Sequence, residues 1–478
     1  MLAPTTNYEL LTTNYFHGDD IITVLTTIAL ILIGVLLFEL IIFVHEGGHF
    51  IAAKKSGVKV NEFSLGMGPK LFSFTKGETT YSLRLFPIGG YCAMEGEDED
   101  SENPRAFNNV KIWKRMIIIV AGAFMNIVLG MILMLITLIP QENIASTQIS
   151  MFMPGSFSSV SGLQAGDKIV KINGYDVNTY IDFYFALYTL PVTEVDGNET
   201  QIYKEDCSFD LLTYARECLN KTDSAKADEA NQKITALLST AQSKIAECTS
   251  KEQAYKVFCQ YYDQITELAG LKKTGKYPEI ELRESRKRYR TDMTVVRDGE
   301  KIELKDVDLM TLKDEDGNSK MQLDFYVQPL DKNAGVIIGE TFKETVSVVR
   351  MVWGGLAGLV TGKFSLNEMA GPVGLAATIT DVASKSLETN GFGSAVSSIV
   401  YVMMVISINL GVVNMLPFPA LDGGRFLMLL IEAIFHKPVP RKVESIINTV
   451  GLVLLLTLTA VIAVKDIWQL FNGGFNYG

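Results

Sequence analysis

Residues 21–49 read IITVLTTIALILIGVLLFELIIFVHEGGH. The apolar run 21–44 carries one ionisable group, Glu39, and leads directly into His45-Glu46-Gly47-Gly48-His49. A hydrocarbon core about 30 Å thick takes roughly 20 helical residues to cross, so this run is long enough to span a membrane. The pentapeptide after it puts two imidazoles four residues apart, on one helix face, where both reach a single metal ion. Glu46 then projects beside that ion, placed to take a proton from a water held there. In a chain with four histidines, such a pentapeptide arises by chance in roughly two sequences per thousand. Ionisable groups in a spanning segment cost roughly 2.5–3.5 kcal/mol each on insertion scales, and so mark sites. A helix end emerging among lipid headgroups would tolerate the same residues, but it leaves the histidine spacing without a reason.

Three further runs have spanning length: 116–138, about 395–416, and 446–464. The second has no charged residue, with Asn126 as its only amide side chain, and the fourth has no charge either. Buried helices of a soluble core are the competing reading, and these two runs fit it poorly. Lys54, Lys55 and Lys59 follow the first run, Lys111, Lys114 and Arg115 precede the second, and Arg425, Lys437, Arg441 and Lys442 separate the third from the fourth. Positive flanks face the cytoplasm, which places both termini and residues 141–340 outside. Residues 1–20 hold Asp19 and Asp20 and no basic stretch, so the first span is expected to serve as its own insertion signal.

Charge separates the middle of the chain from its flanks. Residues 141–340 hold 24 Lys/Arg against 33 Asp/Glu, nine of the eleven net negative charges. No basic stripe is present for phosphates, which disfavours a nucleic-acid partner. With 478 residues, 48% hydrophobic and 20% charged, the composition excludes a wholly disordered chain.

Two protein ligands leave a catalytic zinc short of the usual three. The third span ends in Asn414-Met415-Leu416-Pro417-Phe418-Pro419-Ala420-Leu421-Asp422-Gly423-Gly424-Arg425. Pro417 and Pro419 interrupt the helix, and Gly423-Gly424 permit unusual backbone beside Asp422. Locally this stretch reads equally well as an acid lining a cavity within the membrane or as a cytoplasmic turn with an Asp cap.

HEGGHF taken together with NMLPFPALDGGR resembles the site-2 protease family of intramembrane zinc metalloproteases, in its bacterial branch similar to the regulator of sigma-E protease. The resemblance implies that His45, His49 and Asp422 bind Zn2+, that Glu46 is the catalytic base, and that Asn414 helps hold the substrate backbone. It extends to FSLGMGPK at 63–70 and YSLRLFPIGGY at 81–91, similar to the family's membrane-associated β region, and to AGAFMN at 121–126 and AGPVG at 370–374. Alternation over 81–85 reads independently as a strand, and an exposed edge at Tyr81, Ser82, Leu83, Arg84 and Leu85 would let an unwound substrate add as a strand. Gly47, Ala123 and Arg425 depart from the family's usual residues, and none of these positions is a ligand or the base. The implied chemistry is hydrolysis of a peptide bond in a transmembrane segment that must first unwind. Implied partners are transmembrane proteins such as anti-sigma factors or signal-peptide remnants, pre-trimmed by another protease, and the lipid bilayer. The implied location is the cell inner (plasma) membrane. A catalytically idle relative that holds transmembrane substrates is the alternative, against which the retained His45, Glu46, His49 and Asp422 argue.

The middle resembles a circularly permuted PDZ domain at 153–174, with a strand over 167–172 turning at Asn173-Gly174, and again from Asp292 to about Leu304. About 110 residues, 180–290, separate the two parts where the family has one short helix, and they read as a helical insertion. Stretches 225–246 and 251–268 carry the helical pattern. Cys207, Cys218, Cys248 and Cys259 fall there, each pair 11 apart. With three helices running up, down and up, Cys207–Cys248 and Cys218–Cys259 could bridge in an oxidising compartment, or all four remain ordinary core thiols. In the family such domains gate access to the active site. Residues 341–360 read as an amphipathic surface helix with Trp353.

The expected architecture is therefore a multi-span α-helical membrane protein with four transmembrane helices, a membrane-associated β region, and an inserted extracytoplasmic PDZ-like α+β domain carrying a helical insertion. Its expected segments are a tail 1–20, the first span 21–53, the β region 54–115, the second span 116–140, the inserted domain 141–340, a membrane-surface segment 341–394, the third span 395–425, a cytoplasmic loop 426–445, the fourth span 446–470, and a tail 471–478.

Overall fold

A computed structural model describes residues 18–97, 99, 101–153, 156–188, 192–194, 199–220, 227–273, 275–280, 287–313, 319–362, 371–437 and 439–471. The expectations for residues 1–17, Pro154-Gly155, Ala370 and 472–478 fall outside these. The chain divides into one unit built from its two ends, 1–140 and 348–478, and a second formed by 141–347.

Helix α1 runs Gly18–Ser56 without a break. Its described membrane-length stretch, Ile28–Ser56, takes in the His-Glu-Gly-Gly-His pentapeptide. It closes with Lys54 and Lys55 in its last turn and Gly57 at φ 85°, the left-handed conformation that ends helices. Strands β1 (Val60–Lys76) and β2 (Thr79–Met94) follow as a hairpin that folds over on itself. Residues 62–65 pair on one side with 80–83 and on the other with 90–93, while 72–76 also pair with 79–83. The bend in β1 falls at Gly66, φ 79°, where a Cβ would lie 2.7 Å from the Phe86 carbonyl oxygen. Large apolar side chains at this end, among them Leu71, Phe72 and Phe86, are more than half exposed.

This overturns the expected exposed edge over 81–83, the part of 81–85 that pairs on both sides. Tyr81, Ser82 and Leu83 are flanked on both sides, by Phe63, Ser64 and Leu65 and by Phe74, Ser73 and Phe72. The outer segments are 72–76 on one side and 90–93 on the other. Helix α2, Ile112–Leu138, then packs on α1 closely enough that a Cβ on Gly48 would lie 2.4 Å from the Ala121 carbonyl oxygen.

In the second unit, β3 (Ile144–Phe152), the short helix α3 (Phe157–Val160), β4 (Lys168–Ile172) and β5 (Tyr175–Asp176) come first. Strands β4 and β5 join through Asn173 and Gly174, both at positive φ, the pattern of a two-residue hairpin turn. Helix α4, Tyr180–Tyr188, buries Phe183, Ala186 and Leu187 in the core of the sheet, so the insertion starts after it and not at 180. Strand β6 (Val192–Glu194) leads to helices α5 (Glu199–Asn220), α6 (Ala227–Glu247) and α7 (Lys251–Leu268), and β7 (Lys287–Arg297), β8 (Glu300–Lys313), β9 (Ser319–Gln322) and β10 (Phe325–Leu330) complete an eight-stranded sheet. Its order is β10-β3-β4-β7-β8-β9, with β5 on β4 and β6 on β7. Fully buried Asp167 takes two hydrogen bonds from Arg297, 2.7 and 2.8 Å, a bidentate pairing that offsets the cost of burying its charge.

The three insertion helices have a core of their own, including Leu211, Ile234, Leu238, Phe258 and Ile265. Tyr214 stacks on Tyr262 at 3.6 Å, its hydroxyl meets Thr266, and Lys251 lies over Tyr203. These contacts align α5 with α7 in parallel at an offset of 48 to 52 residues, whereas both proposed bridges require 41. At 1.5 Å per residue, that difference is roughly 10 Å. All five cysteines are accordingly free, so of the two readings left open by the sequence the core thiols hold, and the bridges Cys207–Cys248 and Cys218–Cys259 are not formed.

Helix α8, Ala334–Val360, has an inverted face. Glu340, Thr341, Glu344 and Thr345 are buried, while Ile338, Phe342 and Val346, spaced at one turn, are exposed. Helix α9, Pro372–Asn414, breaks at Gly391 (φ 78°). Its membrane-length part is Gly391–Asn414, and residues 372–390, expected as part of a surface segment, are its first arm. Buried Asp466 accepts from the Gly374 amide at the start of that arm, 2.8 Å. Helices α10 (Asp422–Phe435) and α11 (Arg441–Phe471) end the described chain. The described residues contain four helices long and apolar enough to cross a membrane, the last being Lys442–Gln469.

Candidate metal centre

Helix periodicity stacks His45 and His49 one turn apart on α1, and the tertiary fold brings α10 to them. The Nε2 atoms of the two histidines are 3.3 Å apart, and each is 3.3 Å from Asp422 Oδ2. The three atoms form a near-equilateral triangle. Tetrahedral ligands at about 2.0–2.1 Å from an ion stand roughly 3.3 Å from one another, so the triangle has the dimensions of three zinc ligands. Asp422 Oδ2 is buried and makes no conventional hydrogen bond, which leaves its lone pairs available to a cation.

The other imidazole nitrogens are held from behind. His49 Nδ1 meets the Ile118 carbonyl oxygen at 2.8 Å, and His45 Nδ1 lies 3.3 Å from the amide of fully buried Asn126. Such contacts fix ring orientation in metal sites. Position 122 must be glycine for this packing, since a Cβ there would lie 2.3 Å from His49 Nε2. Gly423 and Gly424 serve the same end on α10. Added Cβ atoms would come within 2.1 Å of the Leu416 carbonyl oxygen and 2.3 Å of that of Phe418, so the chain can reverse tightly after α9 and aim Asp422 inward. Gly47 has open space around it.

Glu46 lies within electrostatic reach of His49, His45 and Asp422, with the Cys92 backbone amide against its carboxylate. A Cβ on Gly90 would fall 3.3 Å from the Ile42 side chain and 3.4 Å from that of Glu46. The outer strand 90–93 therefore passes alongside the centre. Asn414, at the end of α9, places its Nδ2 3.4 Å from His45 Nε2. Arg84 is committed elsewhere: its three nitrogens reach Ser64, Gly68, Glu62 and Tyr91. Burial opposes ionisation of Glu62, but bonds from Ser82, Lys70, Arg84 and Tyr91 outweigh it and bring its carboxyl down to about 2. Arg84 thus braces the sheet from within.

Beside Asp422 opens a cavity of about 800 Å³ with Glu97, Arg115, Arg425 and Glu432 on its walls. Arg115 pairs with Glu432 at 2.5 Å, and Arg425 pairs with Glu97. Sequence reasoning noted Asn126 and the stretch 121–126 that contains Gly122 but gave neither a role at the site, and it passed over these two ion pairs. Asn126, the lone amide of an apolar run, was the one visible signal.

The sequence matches the family described as Peptidase family M50 over residues 33–458. It is 30% identical to a protein of Clostridium acetobutylicum that bears the name of a zinc metalloprotease, over 91% of this chain and 97% of that one. It is 29% identical to a protein of the same name from Fusobacterium nucleatum, over 92% and 99%. It is 28% identical to the regulator of sigma-W protease RasP of Bacillus subtilis, over 91% and 98%.

Proposed function

The chain belongs to peptidase family M50 and is an integral membrane zinc metalloprotease of the site-2 type, and from that premise we propose that it cleaves peptide bonds within transmembrane segments of other membrane proteins. The observation that carries this reading is the His45–His49–Asp422 triangle, whose two histidines sit on a helix of membrane length. These three residues would hold the zinc. Bound there, zinc supplies Lewis acidity that polarises a carbonyl and makes a water more acidic. Glu46, beside the triangle, takes the proton of the attacking water and returns it to the leaving amine. The polar cavity against Asp422 gives water a way to a site otherwise walled by apolar helices.

A helical substrate has its amides bonded internally, so it must unwind before attack. Strand 90–93, with its outer side toward Glu46, is the place for an extended segment to add as a further strand, and Asn414 is placed to hold its backbone. Residues 141–347 form a PDZ-like extracytoplasmic filter that keeps untrimmed ectodomains from the centre, in an inner (plasma) membrane whose cytoplasmic side is marked by Lys54, Lys55, Lys111 and Arg115. Anti-sigma factors and signal-peptide remnants are the substrate class. Removing the insertion helices 199–268 then admits untrimmed substrate.

The deciding experiment reconstitutes the protein with a labelled single-span substrate and locates the cut by mass spectrometry. Cleavage inside the apolar segment is expected, and Glu46→Gln abolishes it while zinc content and fold persist. Undiminished cleavage by Glu46→Gln, or cuts confined to exposed loops, would sink the proposal.

A further inference from the structure

Glu39 is not used by this chemistry. It lies within the first membrane-length helix and is 8% exposed, and neither carboxyl oxygen has a hydrogen-bond partner among the described residues. A carboxyl inside a span is costly whether ionised or neutral, and is retained where something answers its hydrogen-bonding capacity. Seven residues separate Glu39 from Glu46, two helical turns, which returns it to within roughly 20° of the same face and about 10 Å along the axis. Ile42 stands between them at helical neighbour spacing, against Gly90 of the outer strand. Glu39, Ile42, Glu46 and His49 therefore form one stripe that starts at an unsatisfied acid and ends at the metal centre.

We propose that Glu39 is a specificity residue, which binds a hydrogen-bond donor on the substrate's transmembrane segment about three residues from the scissile bond. The inference rests on the protease reading for the identity of the substrate. The register follows from the spacing, since an extended chain advances about 3.3 Å per residue and three residues cover the 10 Å between Glu39 and Glu46. The preferred residue is one whose side chain donates at membrane depth, such as Asn, Gln, Ser or Lys. A leucine there would leave the carboxyl as unsatisfied as in the free protein.

The test uses the full-length protein in phosphatidylcholine–phosphatidylglycerol nanodiscs with a fluorescent leucine–alanine transmembrane peptide carrying a single Asn or Lys moved along its length. Binding is read in the Glu46→Gln background and cleavage in the unmodified protein. One donor position is expected to tighten binding by about fivefold to tenfold, the size of one hydrogen bond in a membrane, and to shift the cut so that it stays about three residues away. Glu39→Leu flattens both scans. Glu39→Gln, the isosteric variant, keeps the Asn optimum and loses the Lys optimum. Scans already flat with Glu39 present, or unchanged on its substitution, overturn the proposal. An optimum that depends on Glu39 without any cleavage would retain this site and refute the protease reading instead.

Discussion

His49 Nε2 on α1 and Asp422 Oδ2 on α10 lie 3.3 Å apart, joining a residue near the start of the chain to one near its end. Neither helix makes the site alone. His45→Ala, His49→Ala and Asp422→Ala are each expected to lower bound zinc from about one per chain to below a tenth, because removing one donor leaves a two-ligand site. Elemental analysis of purified protein measures this, and full zinc retention by Asp422→Ala would exclude it as a ligand.

The two neighbouring glycines of the pentapeptide are predicted to behave oppositely. Gly47 faces open space, so Gly47→Ala should stabilise the helix by about 1 kcal/mol and leave zinc unchanged. Gly48→Ala would set its Cβ 2.4 Å from the Ala121 carbonyl oxygen, prising α1 from α2. Thermal unfolding in detergent with zinc analysis separates the two.

Proline distinguishes the outer strand from the inner one. Ser82 pairs on both sides, and Ser82→Pro should disrupt the sheet and lower expression. Cys92 offers its amide toward Glu46, and edge strands tolerate proline. Cys92→Pro is expected to keep the fold and zinc while lowering cleavage by about tenfold, because the Glu46 carboxylate loses the amide against it. Poor expression or zinc loss with Cys92→Pro would place 90–93 inside the sheet.

The folding of residues 141–347 should depend on pH through Glu344. Burial, with Glu340 beside it, raises this carboxyl from 4.5 to about 7. The folded chain therefore binds more protons than the unfolded chain between those values, and stability falls as pH rises through that window, by about 3 kcal/mol in all. Glu344→Gln should remove the slope and raise stability at pH 8, read as hydrogen-exchange protection over residues 334–347.

Alkylation should find five free thiols, with and without reductant. Buried Cys207, whose thiol is pushed up to about 12 by burial and by nearby Asp210 and Asp206, is expected to react only after unfolding. A mass difference on reduction would contradict the offset between α5 and α7.

Much of the fold was legible as local pattern. Apolar runs read as spans, Asn173-Gly174 lies in the tight turn between paired strands, and the helix pattern over Lys251–Leu268 became α7. Boundaries were less legible. The helical insertion was expected from about 180, but α4 went to the sheet because Phe183 and Leu187 are buried there.

The sequence by itself determined that two imidazoles share a helix face beside a carboxylate, since spacing on one helix is a local property. It also determined that four segments prefer lipid, because that depends on composition alone. For Asp422 the local pattern left a cavity acid and a surface turn open, and the family resemblance implied the former. The tertiary structure brings it to the histidines through the tight reversal between α9 and α10 at Gly423 and Gly424. The tertiary structure alone decided that 81–83 lie inside the sheet and 90–93 at an outer side, and that the cysteines stand two turns out of register. Strand neighbours and helix offsets are set by packing between distant segments, and no local pattern encodes them.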